Sequence, residues 1–245
     1  MDEVRKIRQS SRIVAEALQL LSDMIEPGMT PKKLDSEAEN YIRSRHAEPG
    51  FKGLYGYPAT LCVSVEHEVV HGIPSDQPLK EGQIVGLDVG ALKDGYYSDH
   101  ARTFAVGKID QAHQDLITRT RECLDLGIKV AVAGGTVGDI GHAVQQHAEE
   151  VGYGVVRELV GHGIGTRLHE EPQIPNYGRP GQGAVIREGM CLAIEPMINI
   201  GSREVVTQDD GWTVTTADGK PSAHFEHTIV ITSNGPEVLT AYEVT

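Results

Sequence analysis

The same order of elements is written twice along this chain, and that repetition restricts its fold more than any other feature. In the first round Val4, Ile7, Ser11, Val14, Leu18, Leu21 and Ile25 recur at steps of three and four. Such spacing makes one apolar stripe on a helix, which Pro27-Gly28 should end. Thr30 then caps a second helix, with Pro31 at its first position and Leu34, Ala38, Tyr41 and Ile42 on its inner face. About 106 residues later a helix starts near Gln111, passes through Leu116, Leu124 and Ile128, and meets Gly134-Gly135. Thr136 caps the helix that follows, with Asp139 as a capping-box partner. Ile140, Val144 and Ala148 take the places of Leu34, Ala38 and Ile42.

β-branched runs at 59–65, 84–89, 190–195, 213–216 and 227–232 read as strands with antiparallel connections. Helices covering one side of twisted antiparallel sheets would suit two such rounds. The expectation is an α+β protein, a single domain over 1–245 made of two related halves, about 1–108 and 109–245. No linker, low-complexity tract or charge block separates them.

A formal charge of −13 and the lack of any basic stripe argue against binding nucleic acid by phosphate neutralisation. Cys62, Cys123 and Cys191 are odd in number and widely spaced, so no disulfide framework or zinc-finger spacing arises. The charged N-terminus lacks the apolar core of a signal peptide, and no apolar run is long enough to span a bilayer. A soluble, cytoplasmic protein with no membrane contact is expected.

Residues 87–99 read as a β-hairpin, with a turn signal near Lys93-Asp94 and Asp88 and Asp99 facing one another within a residue of register. Like charges so placed destabilise a hairpin unless something holds them, and a divalent cation is the obvious candidate. Three later segments add donors. His162 lies in Gly161-His162-Gly163-Ile164-Gly165, where glycines permit close approach; Glu195 ends an apolar strand; Glu226 heads another. Carboxylates in apolar strands are seldom buried without partners. Each could be a structural ion pair on its own; four carboxylates and a histidine together suit two first-row divalent ions sharing bridging carboxylates. Neither a tetrahedral structural zinc nor a calcium cage is expected from that set.

His67-Glu68-Val69-Val70-His71 spells the H-E-x-x-H zinc motif, which works only on a helix. Here it follows a β-branched run and is cut off by Gly72-Ile73-Pro74, so the zincin reading is rejected, while His71 can still enter a site from a strand end. His46, His113, His142 and His147 are expected on helices or their ends, solvated. His100 and His227 should point away from the neighbouring ligands. Dinucleotide, phosphate-loop, serine-hydrolase and thioredoxin motifs are missing.

Asp88, Asp99, His162, Glu195 and Glu226, in that order and with His71-Gly72-Ile73-Pro74, Glu195-Pro196-Met197 and Glu226-His227-Thr228 around them, resemble the type I methionine aminopeptidases. The likeness runs from about Phe51 onward; the N-terminal helices match only in layout. It implies the pita-bread fold, with pseudo-twofold antiparallel sheets covered by helices. It also implies a hydrolase that removes the initiator methionine from nascent polypeptide N-termini, at the ribosome or away from it, when the second residue is small. Asp88 would chelate one metal, Asp99 and Glu226 would bridge two, and His162 and Glu195 would complete the second, drawn from Co, Mn, Fe, Zn or Ni. Glu195 would double as general base. His71 and His169 would hold the scissile amide and steady the tetrahedral intermediate. The methionine pocket would fall on Phe51, Leu54, Tyr57, Cys62, Leu168 and Trp212, a lining that suits a thioether.

The chain departs from the family pattern at Glu66-His67-Glu68, where many members have an Asn followed by an acid. It departs again at Gly90 and His100, where some have Thr. These positions bear on local substrate contacts and on hydrogen bonding at the metal site. The short form, lacking the zinc-binding extension and long insertion of other branches, resembles the bacterial enzymes; a monomer is expected. Two rivals share the fold: an X-Pro aminopeptidase or prolidase, and a non-catalytic binding protein, which typically loses ligands that are intact here.

Overall fold

The computed structural model describes residues 2–241. Helix α1, Asp2–Ser22, buries Ile7, Ser11, Val14, Leu18 and Leu21 as the stripe requires. Ser11 is tolerated there because its hydroxyl donates to the Ile7 carbonyl at 2.8 Å and meets Ser98 Oγ at 2.9 Å. The helix stops before Pro27. Met24 N bonds the Leu21 carbonyl and Ile25 N the Ser22 carbonyl, a tightening to three-residue spacing that unwinds the last turn. Helix α2, Pro31–Ser44, starts as expected, with the Thr30 side chain accepting from Lys33 N. Helices α3, Gln111–Val130, and α4, Val137–Glu149, repeat the arrangement, and the Asp139 carboxylate accepts from Thr136 N at 2.7 Å.

Two large cores lie beneath these pairs. Leu18, Leu21, Leu34 and Ile42 pack with Leu61, Val85, Leu87 and Val89. Leu124, Ile128, Val137 and Ile140 pack with Leu192, Ile194, Ile229 and Ile231. A nine-stranded sheet runs under both, and two small three-stranded sheets flank it. Its central path is Ile84–Lys93, Tyr96–Ala105, Glu226–Thr232, Cys191–Ile194, Gly161–Gly163 and Glu170–Ile174, with Leu61–Val65 on the first of these. Neighbouring strands on this path pair antiparallel.

The hairpin forms with its turn one residue later than its sequence suggests. Lys93 pairs with Tyr96, so Asp94-Gly95 make the two-residue turn, at φ 49° and 81°. Positive φ at both positions is the geometry an Asp-Gly turn favours. Asp88 therefore pairs with Ala101 and Asp99 with Gly90. The two carboxylates are diagonal rather than directly opposed. A register change of this size keeps them on one face.

Candidate metal centre

Pairing registers determine where the five predicted ligands point. Asp88 pairs with Ala101, and Ala101 pairs with Glu226 on its other side. The methyl of Ala101 is all that occupies the strand between those two carboxylates. Asp99 stands two residues along from Ala101 and so shares its face. Across the next seam His227 pairs with Ile194, which brings Glu226 and Glu195 level, and His162 pairs with Ala193, two residues from Glu195. Strand alternation thus sends all five side chains to one side of the sheet.

The side chains converge there. Ligand atoms of Asp99, His162 and Glu226 lie within 4.8 Å of one another. Glu195 Oε1 is 3.5 Å from His162 Nε2. His162 Nδ1 is 2.9 Å from the Gly163 carbonyl; donating there, it leaves the lone pair of Nε2 facing the cluster. Thr228 holds Asp99 in place, its hydroxyl donating to the Asp99 carbonyl at 2.8 Å and accepting from Asp99 N at 3.1 Å.

Burial raises all four carboxyls, Asp88 to about 6 and Glu195 to about 7. Asp99 and Glu226 rise well above the usual range, burial first and neighbouring carboxylates next. His162 opposes the rise at Glu195. Asp88 Oδ1 and Glu226 Oε1 are buried with no hydrogen-bond partner. Unpartnered anionic oxygens beside an imidazole lone pair fit divalent cations, whose charge would reverse these shifts.

A cavity of roughly 140 Å³ adjoins the cluster. All six predicted pocket residues line it: Phe51, Leu54, Tyr57, Cys62, Leu168 and Trp212. Tyr57 is held by its hydroxyl, whose one proton is shared between the Leu61 and Gly72 carbonyls, and its ring meets Trp212 edge-on at 5.1 Å. Gly90 has a packing role: a Cβ there would lie 2.6 Å from Phe51 Cε1, so only glycine lets this ring rest on the sheet.

His71 and His169 line the same cavity. The H-E-x-x-H segment is not helical, and His67 is exposed in a turn before the short strand Glu68–Val70. His71 follows at φ 60°, a left-handed conformation that costs a bulky residue energy and turns its ring into the cleft. Burial, then the nearby His224, lowers its pKa to about 4, which keeps it neutral near pH 7. The His169 ring stands edge-on to His162 at 4.5 Å, and its pKa is lowered first by desolvation and then by His71.

Several histidines differ from expectation. His113 bridges Asp110 at 2.8 Å and Glu66 at 3.1 Å, and His147 bonds Glu122 at 2.8 Å, so neither is simply solvated. His100 and His227 do point off the ligand face, yet they are stacked at 4.6 Å rather than idle. His100 Nδ1 lies 2.6 Å from the Glu226 carbonyl and steadies that strand. The departures at Glu66 and Glu68 build the turn: Glu66 accepts from Ile84 N and Glu68 from Val65 N.

Two residues at the site went unassigned from sequence. Tyr55 lines the cavity mouth and stacks on His169 at 6.1 Å. It occupies a left-handed conformation, φ 52°, which no local sequence pattern announces. His224 stands 3.6 Å from Glu195, and its signal was present: it precedes Glu226 by two residues, the period of one strand face.

The model of metallopeptidase family M24 matches residues 5–233. A methionine aminopeptidase of Clostridium perfringens is 49% identical over 98% of this chain and 96% of its own length. Methionine aminopeptidase 1 of Bacillus subtilis is 48% identical over 97% of this chain and 96% of its own. Among solved structures, a methionine aminopeptidase from Thermotoga maritima superposes with a TM-score of 0.97 at 46% identity, covering 98% of this chain and 97% of that one. A prolidase from Pyrococcus furiosus matches at 0.81 and 26% identity, with 64% of its chain covered.

Proposed function

Since the chain belongs to metallopeptidase family M24 and has the pita-bread fold, we propose that it is a methionine aminopeptidase, removing the initiator methionine from new polypeptides whose second residue is small. The observation that carries this reading is the convergence of Asp88, Asp99, His162, Glu195 and Glu226 on one sheet face, beside an apolar, sulfur-containing cavity of thioether size. The catalytic domain is read as one unit of two related halves, about 1–108 and 109–245, meeting where Tyr96–Ala105 pairs with Glu226–Thr232.

Asp88, Asp99 and Glu226 would hold one divalent ion, and Asp99, Glu226, His162 and Glu195 a second. Ions bound there supply Lewis acidity and bring the pKa of a water toward neutrality. Glu195 takes a proton from the attacking water and passes it to the leaving amine nitrogen. The water oxygen adds to the methionine carbonyl carbon, the C–N bond breaks, and free methionine and a shortened peptide result. His71, neutral, donates to the scissile amide and His169 to the developing oxyanion. The methionine side chain enters the cavity between Tyr57, Phe51 and Trp212. A second cavity, roughly 510 Å³, shares His71, His162, His169 and Glu195 and gives the rest of the peptide a way out. Among the described residues no helix is long and apolar enough to cross a membrane.

Metal-loaded protein should release methionine from Met-Ala-Ser and leave Ala-Pro dipeptide intact. Cleavage of the X-Pro substrate alone would transfer the assignment to the prolidase branch. Turnover of neither substrate would favour a non-catalytic binding protein.

A further inference from the structure

The described ligands do not account for every donor aimed at the centre. His224 ends the strand Ser222–His224, and Thr103 pins its backbone from both sides. The His224 amide donates to Thr103 Oγ1 at 2.9 Å, and the same hydroxyl donates to the His224 carbonyl at 3.0 Å. The ring is 5% exposed, and its Nε2 is buried with no hydrogen-bond partner. That nitrogen lies 3.6 Å from Glu195 Oε2, while the other oxygen, Oε1, lies 3.5 Å from His162 Nε2. Two imidazoles therefore bracket one carboxylate, an oxygen to each. They are not equivalent. His162 spends its proton on the Gly163 carbonyl and offers a lone pair, whereas no acceptor competes for an N–H of His224 at Nε2.

We propose that His224 is a positioning residue for Glu195, donating its Nε2–H to Oε2 so that the carboxylate plane is fixed with Oε1 on the His162 side. A carboxylate that both ligates and moves a proton needs this restraint, because rotation about its last bond would exchange the two oxygens. Donors of this kind are often slightly long until the site is loaded, and the present separation is of that order. The role requires only a proton on Nε2. A buried nitrogen pinned by its own backbone is suited to it, since it has no other partner to leave.

The inference rests on the aminopeptidase reading and is tested with wild-type protein, His224→Leu and His224→Gln, each metal-loaded and assayed on Met-Ala-Ser. The leucine removes the donor; the glutamine amide restores one at similar reach. Expected is a kcat for His224→Leu about 10–100-fold below wild type, with KM nearly unchanged, and recovery of most of that loss in His224→Gln. Manganese titrated calorimetrically into the metal-free proteins should show the same stoichiometry in all three, with weaker binding in the leucine variant. Nitrogen-15 NMR of the metal-loaded wild type, which needs no substrate and no variant, should show a proton on His224 Nε2 in a hydrogen bond. A wild-type kcat in folded His224→Leu overturns the proposal, as does equal loss in both variants. Loss of a metal equivalent in both would make His224 a ligand and refute it equally. A bare Nε2 in the NMR experiment refutes it even if the leucine variant does not fold. Failure of the wild type on Met-Ala-Ser, by contrast, strikes the aminopeptidase reading itself.

Discussion

Replacing Gly90 by alanine tests whether the hairpin and the proposed methionine cavity are one construction. The new methyl would lie 2.6 Å from Phe51 Cε1 and 3.0 Å from Cδ1. Carbon contacts settle near 3.5–4.0 Å, so the ring must retreat by about 1 Å. Phe51 lines a cavity of only roughly 140 Å³, and retreat takes space from the side chain proposed to enter it. Overpacking of this kind costs about 1–3 kcal/mol. If that cost falls on methionine binding, kcat/KM drops about 5–150-fold at 1.36 kcal/mol per decade. The added methyl would share the face of Asp88 and Asp99, but its nearest contacts are all with the Phe51 ring, so metal stoichiometry should stay at the wild-type value. Steady-state kinetics on Met-Ala-Ser with elemental analysis of the same sample reads both quantities. Adding Phe51→Leu should recover much of the loss, because the two changes act on one contact. A Gly90→Ala protein within twofold of wild type would refute the reasoning.

Other substitutions separate the remaining parts of the account. His71→Ala should lose at least 100-fold in kcat/KM, whereas His67→Ala, exposed in its turn, should stay within about twofold; the reverse order would revive the zincin reading. Thr228→Val leaves the Asp99 amide and carbonyl without their side-chain partner, at about 1–3 kcal/mol, and thermal denaturation should show a fall of several degrees. An unchanged midpoint would count against the clamp. Metal stabilisation should depend on pH. In the metal-free fold Asp88 and Glu195 titrate near 6 and 7, above their unfolded values of 3.8 and 4.5. These groups therefore contribute stability below about pH 4 that is lost as pH rises through about 7, and metal binding, which displaces their protons, restores it. The rise in Tm on adding manganese should be larger at pH 8 than at pH 5.5, and a larger rise at pH 5.5 would contradict the ligand set.

Much of this architecture was legible because it rests on local chemistry. Thr30 with Pro31, and Thr136 with Asp139, specify helix starts from a few residues, and both form as read. The convergence of the five candidate ligands was legible for a different reason: a carboxylate in an apolar strand is conspicuous. Register was harder. Only the turn residues decide it, and reading the turn at Lys93-Asp94 instead of Asp94-Gly95 misplaced the Asp99 partner while keeping the face, because moving a two-residue turn by one position changes the pairing by two. The end of α1 was misread because nothing in Ser22-Asp23-Met24 forbids helix; the unwinding lets Met24 and Ile25 turn onto the core. Half-buried His113 and His147 found carboxylate partners from distant segments, Glu66 and Glu122, that no local window contains. Tyr55 was missed on similar grounds, since the ring it stacks on, His169, comes from a distant segment.

The central claim is that five side chains on one sheet face hold divalent cations without which no methionine is released. Titrating chelator-treated protein with manganese while following methionine release from Met-Ala-Ser addresses it directly. Activity should start at background and saturate by two equivalents of metal. Turnover by the metal-free protein at the rate of the loaded one would contradict the account.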